Sequence, residues 1–558
     1  MDLTRIRAGT SICNHRETFK SYMRNAKSQI QTGWTLDNNF CVSSKSKRQS
    51  VAGNIPRRSF LIAGLGAAAG FWACGGSNGS SASGSHTSSS LTAAQNPIVE
   101  ENKKTGDPSW KLTNAATNHE IEGYASATSV NRGETIEFFV NTSDTSYTLA
   151  IYRMGWYGGA GGRLLASPVT LNGVQQPIPT PAPDTNLIEC QWQSSYQVTV
   201  PNTTDPTDWA SGVYLVKLTG LTSGKQAYII FVVRDDGRKS DLLFQSSVNT
   251  YQAYNDWGGF SLYTNPPAYE VSFNRPYHSW YGSQDFLRFE YNMIRFLERE
   301  GYDVTYCTDV DTHQNGDTLL LLHKAFLVVG HDEYWSWQMR DNVEGARDKG
   351  INLGFFAANT SYWQIRYASS QITGDPNRTI ICYKYAAMTK DPYALDGDPN
   401  NDYLITTQFR LAPVNRPEDQ MCGAMFNEAA DTGVIDGDMI VTDPSSWVFN
   451  NTNVQNGTHL PGLLGYEVDQ MFANVPAGVA SICHSPYTDP SNGQTEYGDM
   501  TVYQASSSAM VVNTGSMRWN WGLDSFTPGT LHPDLTNPIA QQATRNVLSK
   551  FGATPGTP

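Results

Sequence analysis

The sequence predicts an all-β domain followed by a larger α/β domain built on a parallel sheet. Up to about residue 237, short alternating segments are separated by Pro, Gly, Asn and Asp, which is typical of β-sandwiches. Beyond that point, continuous apolar strands alternate with amphipathic helices, as expected of a parallel sheet covered on both faces. The 558 residues are enough for two or three domains.

The first 74 residues have the features of an export signal. Arg57 and Arg58 precede a short apolar run over 61–73, the layout of a twin-arginine signal. Cys74 follows this run, so we expect either lipidation of this cysteine, as in a lipoprotein, or simple cleavage. Residues 75–95 are rich in Ser and Gly and are predicted to be a flexible linker. We therefore expect a periplasmic, lipid-anchored or extracellular protein.

Residues 96–237 are predicted to form an immunoglobulin-like β-sandwich of about seven short strands. Six of them are placed by their alternating pattern at 121–127, 135–141, 147–153, 196–200, 212–219 and 226–233. The glycine-rich segment MGWYGGAGGR, at 154–163, is interpreted as a wide turn. We expect its Trp156 and Tyr157 to pack on the neighbouring domain.

Residues 238–553 are predicted to form the α/β domain. Its strands are expected at 241–248, 303–308, 325–330 and 351–357, and its helices at 285–300, 336–349 and 538–551. Gly301 and Gly350 directly follow the first two helices, as C-terminal glycines should. After about residue 373 the pattern is rich in strands and loops, which predicts β-rich insertions. The layout is similar to that of amidotransferases, but the strand–helix turn lacks their cysteine nucleophile.

Charge and composition exclude several classes of protein. The net charge is −13 and the folded part has no basic block, so nucleic acid is not expected as a partner. No run of eighteen apolar residues predicts a membrane span, and the only expected membrane contact is a lipid on Cys74. The five cysteines of the body are too widely spaced for a CxxC metal site. Nothing in the sequence excludes a homo-oligomer.

Three predicted strands end in polar or aromatic segments, at 249–259, 330–335 and 357–359. Ligands of a parallel sheet bind at the carboxyl ends of its strands, so these segments are expected to converge. His331 and Glu333 would share a face if the chain stays extended there, and such a pair can bind a metal or share acid–base work. Asp332 is interpreted as support for the following helix N-terminus.

The segments TYQAYNDWGG, GHDEYWSWQMRDNVE, FFAANTSYW, GLLGYE and MRWNWGLD, spread over 239–553, carry a family resemblance. Together they resemble the large (β) subunit of N,N-dimethylformamidase and its relatives. The likeness extends into the β domain through YRMGWYGGAGGR and SGVYLVKL.

The resemblance implies a mononuclear Fe³⁺ ion bound by one glutamate and two tyrosines. By position the glutamate is Glu333. One tyrosine is Tyr254, with Tyr251 as the alternative, and the other is Tyr214, which would reach in from the β domain. His331, Asn359 and Glu467 are expected to surround the metal as catalytic groups.

The expected activity is therefore hydrolysis of the C–N bond of a small linear amide by an exported, iron-dependent amidohydrolase. Export departs from the resemblance, because the dimethylformamide enzyme is intracellular and pairs with a small subunit. One alternative is a non-catalytic surface or carbohydrate-binding protein that kept the fold. Another is a hydrolase of a different bond, such as a glycoside, with Glu333 and Glu467 as paired carboxylates.

Overall fold

A computed structural model describes residues 96–428, 434–529 and 531–556. The predicted export signal, the lipidation site at Cys74 and the linker lie outside the described residues. Among the described residues, no helix has the length and apolar character needed to cross a membrane.

The α-helices of the described ranges are short apart from four. They are α1 (Pro97–Asn102), α2 (Val248–Tyr254), α3 (Tyr291–Glu300), α4 (Asp309–Leu319), α5 (Trp337–Asp348), α6 (Ala387–Lys390), α7 (Pro392–Leu395), α8 (Asp419–Cys422) and α9 (Pro538–Lys550).

Strands are more numerous than helices in the described chain. The first eleven are β1 (Ile121–Ala125), β2 (Ser129–Asn131), β3 (Thr135–Thr142), β4 (Ser146–Met154), β5 (Gly162–Leu164), β6 (Val169–Asn172), β7 (Tyr196–Thr199), β8 (Gly212–Gly220), β9 (Gln226–Arg234), β10 (Leu242–Ser246) and β11 (Glu270–Ser272). The next seven are β12 (Val304–Thr308), β13 (Ala325–His331), β14 (Tyr334–Ser336), β15 (Asn352–Ala358), β16 (Trp363–Ala368), β17 (Thr379–Ile381) and β18 (Met425–Phe426). The last six are β19 (Ile435–Ile440), β20 (His459–Tyr466), β21 (Asp469–Gln470), β22 (Ala480–Thr488), β23 (Thr495–Gln504) and β24 (Met510–Asn513).

The N-terminal part of the described chain consists of two sheets. One has the order β1-β3-β7, and the other has the order β2-β9-β8-β4-β5 with β6 also paired to β4. The inward-facing side chains of both sheets, including Phe138, Val216 and Phe231, are buried in one hydrophobic cluster. The six expected strands are present within two residues at each end.

A seven-stranded sheet positions the candidate site, in the order β12-β10-β13-β15-β24-β23-β22. The first five strands run parallel to one another, and β23 and β22 add antiparallel strands at one edge. A four-stranded sheet, β11-β17-β16-β14, and two two-stranded sheets, β18-β21 and β19-β20, extend this part. The fold as a whole is β-rich with mixed sheets, and its assignment to the immunoglobulin-like and amidotransferase-like classes stays a prediction.

The helix ends follow from their sequences. The Oγ of Ser336 accepts a hydrogen bond from the Met339 N–H at 3.1 Å and thereby caps α5. Gly301 takes the left-handed conformation, φ 78°, just after α3. Helix α4 was not expected, because its polar sequence DVDTHQNGDTL lacks an apolar stripe and is held in place by buried polar contacts.

The segment at 154–163 contacts helix α3, in agreement with its interpretation as a packed turn. The ring of Trp156 lies under the guanidinium groups of Arg295 and Arg299, at 4.7 and 5.4 Å. Arg153, at the end of β4, makes a fully buried two-pronged ion pair with Glu298, at 2.7 and 3.0 Å. These contacts with α3 fix the sandwich against the part of the chain that carries the site.

Candidate active site

The carboxyl ends of β10, β13 and β15 bring four of the expected residues together. Strand β10 leads into α2, which ends with Tyr254. Strand β13 ends at His331, two residues before Glu333, and β15 is followed directly by Asn359. The expected convergence of these segments is therefore seen in the structure.

The turn that carries Glu333 is held by close packing and backbone hydrogen bonds. Gly330 has φ 76°, and a Cβ atom there would lie 2.5 Å from the Cβ of Phe289, so the position needs glycine. The N–H of Glu333 donates to Thr250 Oγ1 at 2.9 Å. The Trp363 N–H donates to the Glu333 carbonyl at 3.0 Å. These contacts fix the carboxylate, which is 3% exposed.

Two tyrosine hydroxyls contact the Glu333 carboxylate. Tyr254 donates to Oε2 at 2.8 Å, and the Tyr263 hydroxyl lies 3.1 Å from both carboxylate oxygens. The two rings stack with their centroids 4.1 Å apart. A third phenol, Tyr334, donates to the Tyr263 hydroxyl at 2.6 Å. The result is a compact group of oxygen donors around one buried carboxylate.

Burial and charge act in opposite directions on these groups. Burial raises the pKa of Tyr254, Tyr263 and Tyr334 well above the usual value, and the negative charge of Glu333 raises it further. Burial also acts to raise the pKa of Glu333, but contacts with His331 and the charge of Lys384 outweigh it and hold that pKa below its usual range. The cluster thus consists of an anionic carboxylate among protonated phenols, which favours binding of a cation.

His331 lies between the two candidate carboxylates. Its Nε2 atom is 3.1 Å from Glu467 Oε2 and 3.3 Å from Glu333 Oε2, although neither contact has the direction of a hydrogen bond. Burial alone would lower the pKa of His331, but the negative charge of Glu467 and the contacts with both carboxylates outweigh it and raise the pKa well above its usual value. Glu467 is the more accessible carboxylate, with 23% of its side chain exposed.

Asn359 is held beside Glu467 in an unusual backbone conformation. Its φ is 56°, and its N–H donates to Asp469 Oδ1 at 2.7 Å. Its side-chain amide donates to Glu467 Oε2 at 3.0 Å. Within the described ranges, its buried Oδ1 atom has no hydrogen-bond partner. A buried acceptor left open in this way indicates a place for a ligand or water.

The interpretation of Asp332 as support for the N-terminus of α5 is wrong. Ser336 caps α5, while Asp332 is fully buried and accepts a hydrogen bond from Gln245 Nε2 at 2.7 Å. Burial raises the pKa of Asp332, and burial together with the charge of Asp332 raises that of Asp309. Asp332 therefore belongs to a buried acid pair beneath the turn.

Two expected tyrosines lie elsewhere. The Tyr214 hydroxyl donates to the Ala210 carbonyl at 2.6 Å, and its ring stacks on Trp209 inside the sandwich. The structure therefore does not bring Tyr214 to Glu333, because the residue sits on an inward-facing position of β8. The Tyr251 hydroxyl donates to Glu290 instead, so Tyr254 is the tyrosine of α2 that contacts Glu333.

The sequence reasoning missed three members of the cluster. Tyr263 lies in the loop that follows Gly258 and Gly259, where no regular spacing relates it to Tyr254. Tyr334 directly follows Glu333, and only this adjacency could have indicated it. Lys384 comes from a distant segment, with its Nζ atom 3.3 Å from the centroid of the Tyr263 ring.

The donor set of the cluster fits a ferric ion. Carboxylate and phenol oxygens are hard donors, and Tyr254, Tyr263 and Glu333 place three such groups within hydrogen-bond distance of one another. In the described part of the chain, no group of three or more His, Cys, Asp or Glu residues has the geometry of a metal site. Any metal at this cluster would therefore depend on the tyrosines, and the residues present fit that requirement.

The chain matches a known protein family. A family model described as N,N-dimethylformamidase beta subunit-like, C-terminal, matches residues 148–535. The matched range contains the whole carboxylate–tyrosine cluster together with His331, Asn359 and Glu467. No curated protein matches the chain.

Proposed function

Because the chain belongs to the N,N-dimethylformamidase beta subunit-like family, we propose that it is an iron-dependent amidohydrolase for small linear amides. The observation that carries the proposal is the convergence of two phenols, Tyr254 and Tyr263, on the buried Glu333 carboxylate. In this proposal Tyr263 replaces Tyr214 as the second tyrosine ligand.

Tyr254, Tyr263 and Glu333 would hold the ferric ion. The high pKa of the phenols means that only a strong Lewis acid would displace their protons. When bound, the ion would supply Lewis-acid chemistry that polarises an amide carbonyl and lowers the pKa of water.

His331 and Glu467 would transfer the proton of the attacking water to the leaving amine. In amide hydrolysis a water oxygen adds to the carbonyl carbon, the C–N bond breaks, and the amine leaves with a proton taken from that water. The 3.1 Å contact between His331 Nε2 and Glu467 Oε2 forms a pair that can accept this proton and return it to the amine. The partial exposure of Glu467 supports this role, because the proton acceptor must reach the substrate.

Asn359 would stabilise the oxyanion that develops on the carbonyl oxygen. An amide group has two N–H donors, and one of those on Asn359 is used on Glu467. The left-handed backbone and the Asp469 hydrogen bond fix the position of the residue, and the contact with Glu467 orients the amide group and hence the other donor. Donors fixed in advance are effective at oxyanion stabilisation because they need no rearrangement during the reaction.

The two alternatives fit the geometry less well. A glycosidase carboxylate must face its substrate, whereas Glu333 is 3% exposed and both its oxygens contact phenols. A purely structural or sugar-binding protein has no need for a buried anion surrounded by three phenols of raised pKa and a histidine paired with a carboxylate. Such strongly perturbed groups in one cluster favour catalysis.

Export is proposed from the sequence alone. The Arg57-Arg58 signal and Cys74 lie outside the described residues, and they favour transport of the folded protein through the twin-arginine route. Loading of iron in the cytoplasm before export would explain the use of this route.

Metal content and amide hydrolysis together test the proposed function. The purified full chain is expected to contain about one iron per molecule, as for a mononuclear site. It should release amine or ammonia from at least one of N,N-dimethylformamide, formamide and acetamide. Glu333→Gln should lose both iron and activity, whereas Glu134→Gln, in the sandwich and exposed, should keep both. A wild-type protein that remains iron-free after incubation with ferric salt would overturn the proposal.

A further inference from the structure

Lys384 lies against one face of the Tyr263 ring, and Tyr254 lies against the other. The Lys384 Nζ atom is 3.3 Å from the ring centroid, and the Tyr254 ring is stacked 4.1 Å away. The two contacts must occupy opposite faces, because a ring stacked this closely leaves no room for an ammonium group beside it. Tyr263 is thus clamped between a cation and a second phenol.

The Lys384 side chain is enclosed in the protein. The residue is 6% exposed, and its ammonium also lies 4.9 Å from the Trp363 ring centroid and 5.9 Å from that of Tyr334. A lysine is rarely buried to this extent unless its charge is compensated. Aromatic faces attract cations, so the surrounding rings contribute to that compensation.

The backbone at Lys384 is held in a conformation that lysine does not favour. Its φ is 52°, and its N–H donates to the Thr406 carbonyl at 3.0 Å. The preceding N–H, of Tyr383, donates to Thr406 Oγ1 at 3.0 Å. The Thr406 hydroxyl in turn donates to the buried carboxylate of Asp391 at 2.8 Å. Strain maintained by such a network is a feature of functional sites.

We propose that Lys384 is a positioning residue of the metal site, which holds the Tyr263 ring so that its hydroxyl stays on the Glu333 carboxylate. The inference rests on the proposed function, since it assigns Tyr263 as a metal ligand. Lys384 acts through Tyr263 and has no assigned contact with the substrate.

The charge of Lys384 also determines how strongly its ammonium group contacts the Tyr263 ring. A cation binds more tightly to a more electron-rich ring, so its contact with Tyr263 strengthens when that ring carries the negative charge of a metal-bound phenolate. Loss of the charge removes this gain and should therefore weaken ferric binding, by at most about 30-fold, which is the value of one whole desolvated cation–π contact.

The first test uses metal-free protein. In a crystal structure of Lys384→Met, the Tyr263 hydroxyl should move out of hydrogen-bond distance from Glu333, whereas Lys384→Arg should keep it in place. Lys384→Gln serves as a second neutral variant if the methionine variant does not fold. Lys390→Met is the matched control, because that exposed lysine lies 4.7 Å from the Tyr269 ring centroid, away from the site. A Tyr263 hydroxyl that stays on Glu333 in a neutral variant would overturn the proposal.

The second test measures ferric affinity by competition with citrate. Affinity should fall in the neutral variants, recover in Lys384→Arg and remain at the wild-type level in Lys390→Met. Equal affinities in wild type and Lys384→Met would also overturn the proposal. If the wild type binds no iron, the proposed function fails, and the position of Tyr263 in the metal-free structures still decides the role of Lys384.

Discussion

Replacement of Glu290 by Gln is predicted to flatten the dependence of stability on pH. Glu290 immediately precedes α3 and is 1% exposed. Its carboxylate accepts hydrogen bonds from the Ser246 hydroxyl at 2.9 Å, from the Ser247 N–H at 3.0 Å and from the Tyr251 hydroxyl. Through these contacts it holds the start of α2, the helix that ends with Tyr254.

Burial raises the pKa of Glu290 from 4.5 to about 7, and the charge of Asp332 adds to the effect. Between these two pH values the folded protein binds more protons at this residue than the unfolded chain does. Stability therefore falls as the pH rises through this window and levels off above it. At 1.36 kcal/mol for each pKa unit, the loss from this single group is roughly 3 kcal/mol.

The free energy of unfolding should be measured by urea denaturation at pH 4.5 and pH 7.5 for wild type and Glu290→Gln. Glutamine has nearly the same shape but does not ionise, so the variant should lose roughly 3 kcal/mol less than the wild type over this interval. The change in the free energy of unfolding between the two pH values is compared for the two proteins, so that contributions shared by both, and any hydrogen bond weakened by the amide at both pH values, cancel. An equal change in the two proteins would refute the reasoning.

Two further predictions concern Asn359 and Glu298. Asn359→Gly should fold, because glycine accepts a φ of 56°, but the rate of amide hydrolysis should fall by about 100- to 1,000-fold on loss of the oxyanion donor. Kinetics on the amide that is hydrolysed fastest would check this, with circular dichroism as the folding control. A loss below tenfold would contradict it. Glu298→Gln should lower the free energy of unfolding by about 3–5 kcal/mol, because it removes the carboxylate that is directly paired with the buried guanidinium of Arg153. Thermal and urea denaturation would measure this loss, and a change under about 1 kcal/mol would show that the pair is not a buried ion pair in solution.

The strands and the location of the site could be predicted because their signals are local. The apolar run at 325–330 ends at a glycine and is followed by His331 and Glu333. Its pattern alone therefore indicated a buried strand that leads directly into candidate functional residues. Asn359 could be placed in the same way, because its strand is parallel to β13 and ends at the same edge. Glu467 and the identity of the metal as a ferric ion with tyrosine ligands came only from the family resemblance.

The remaining members of the site depend on contacts between distant segments. Tyr263 and Lys384 reach Glu333 through loops whose paths are set by tertiary packing, and neither position has a periodic pattern around it. The structure does not bring Tyr214 to Glu333, for a related reason. Its alternation on β8 predicted an inward-facing ring equally well, and the sandwich core is where that ring lies. Asp332 was misassigned because its burial and its contact with Gln245 also depend on tertiary packing.

The central claim, that Tyr254, Tyr263 and Glu333 hold a ferric ion, is tested most directly by the visible spectrum of the purified protein. Coordination of a phenolate to ferric iron gives a coloured charge-transfer band. The wild-type protein should show this band, Tyr263→Phe should lose or strongly shift it, and Tyr214→Phe should retain it unchanged. A band that persists in Tyr263→Phe and disappears in Tyr214→Phe, or a colourless wild type after incubation with ferric salt, would contradict the account.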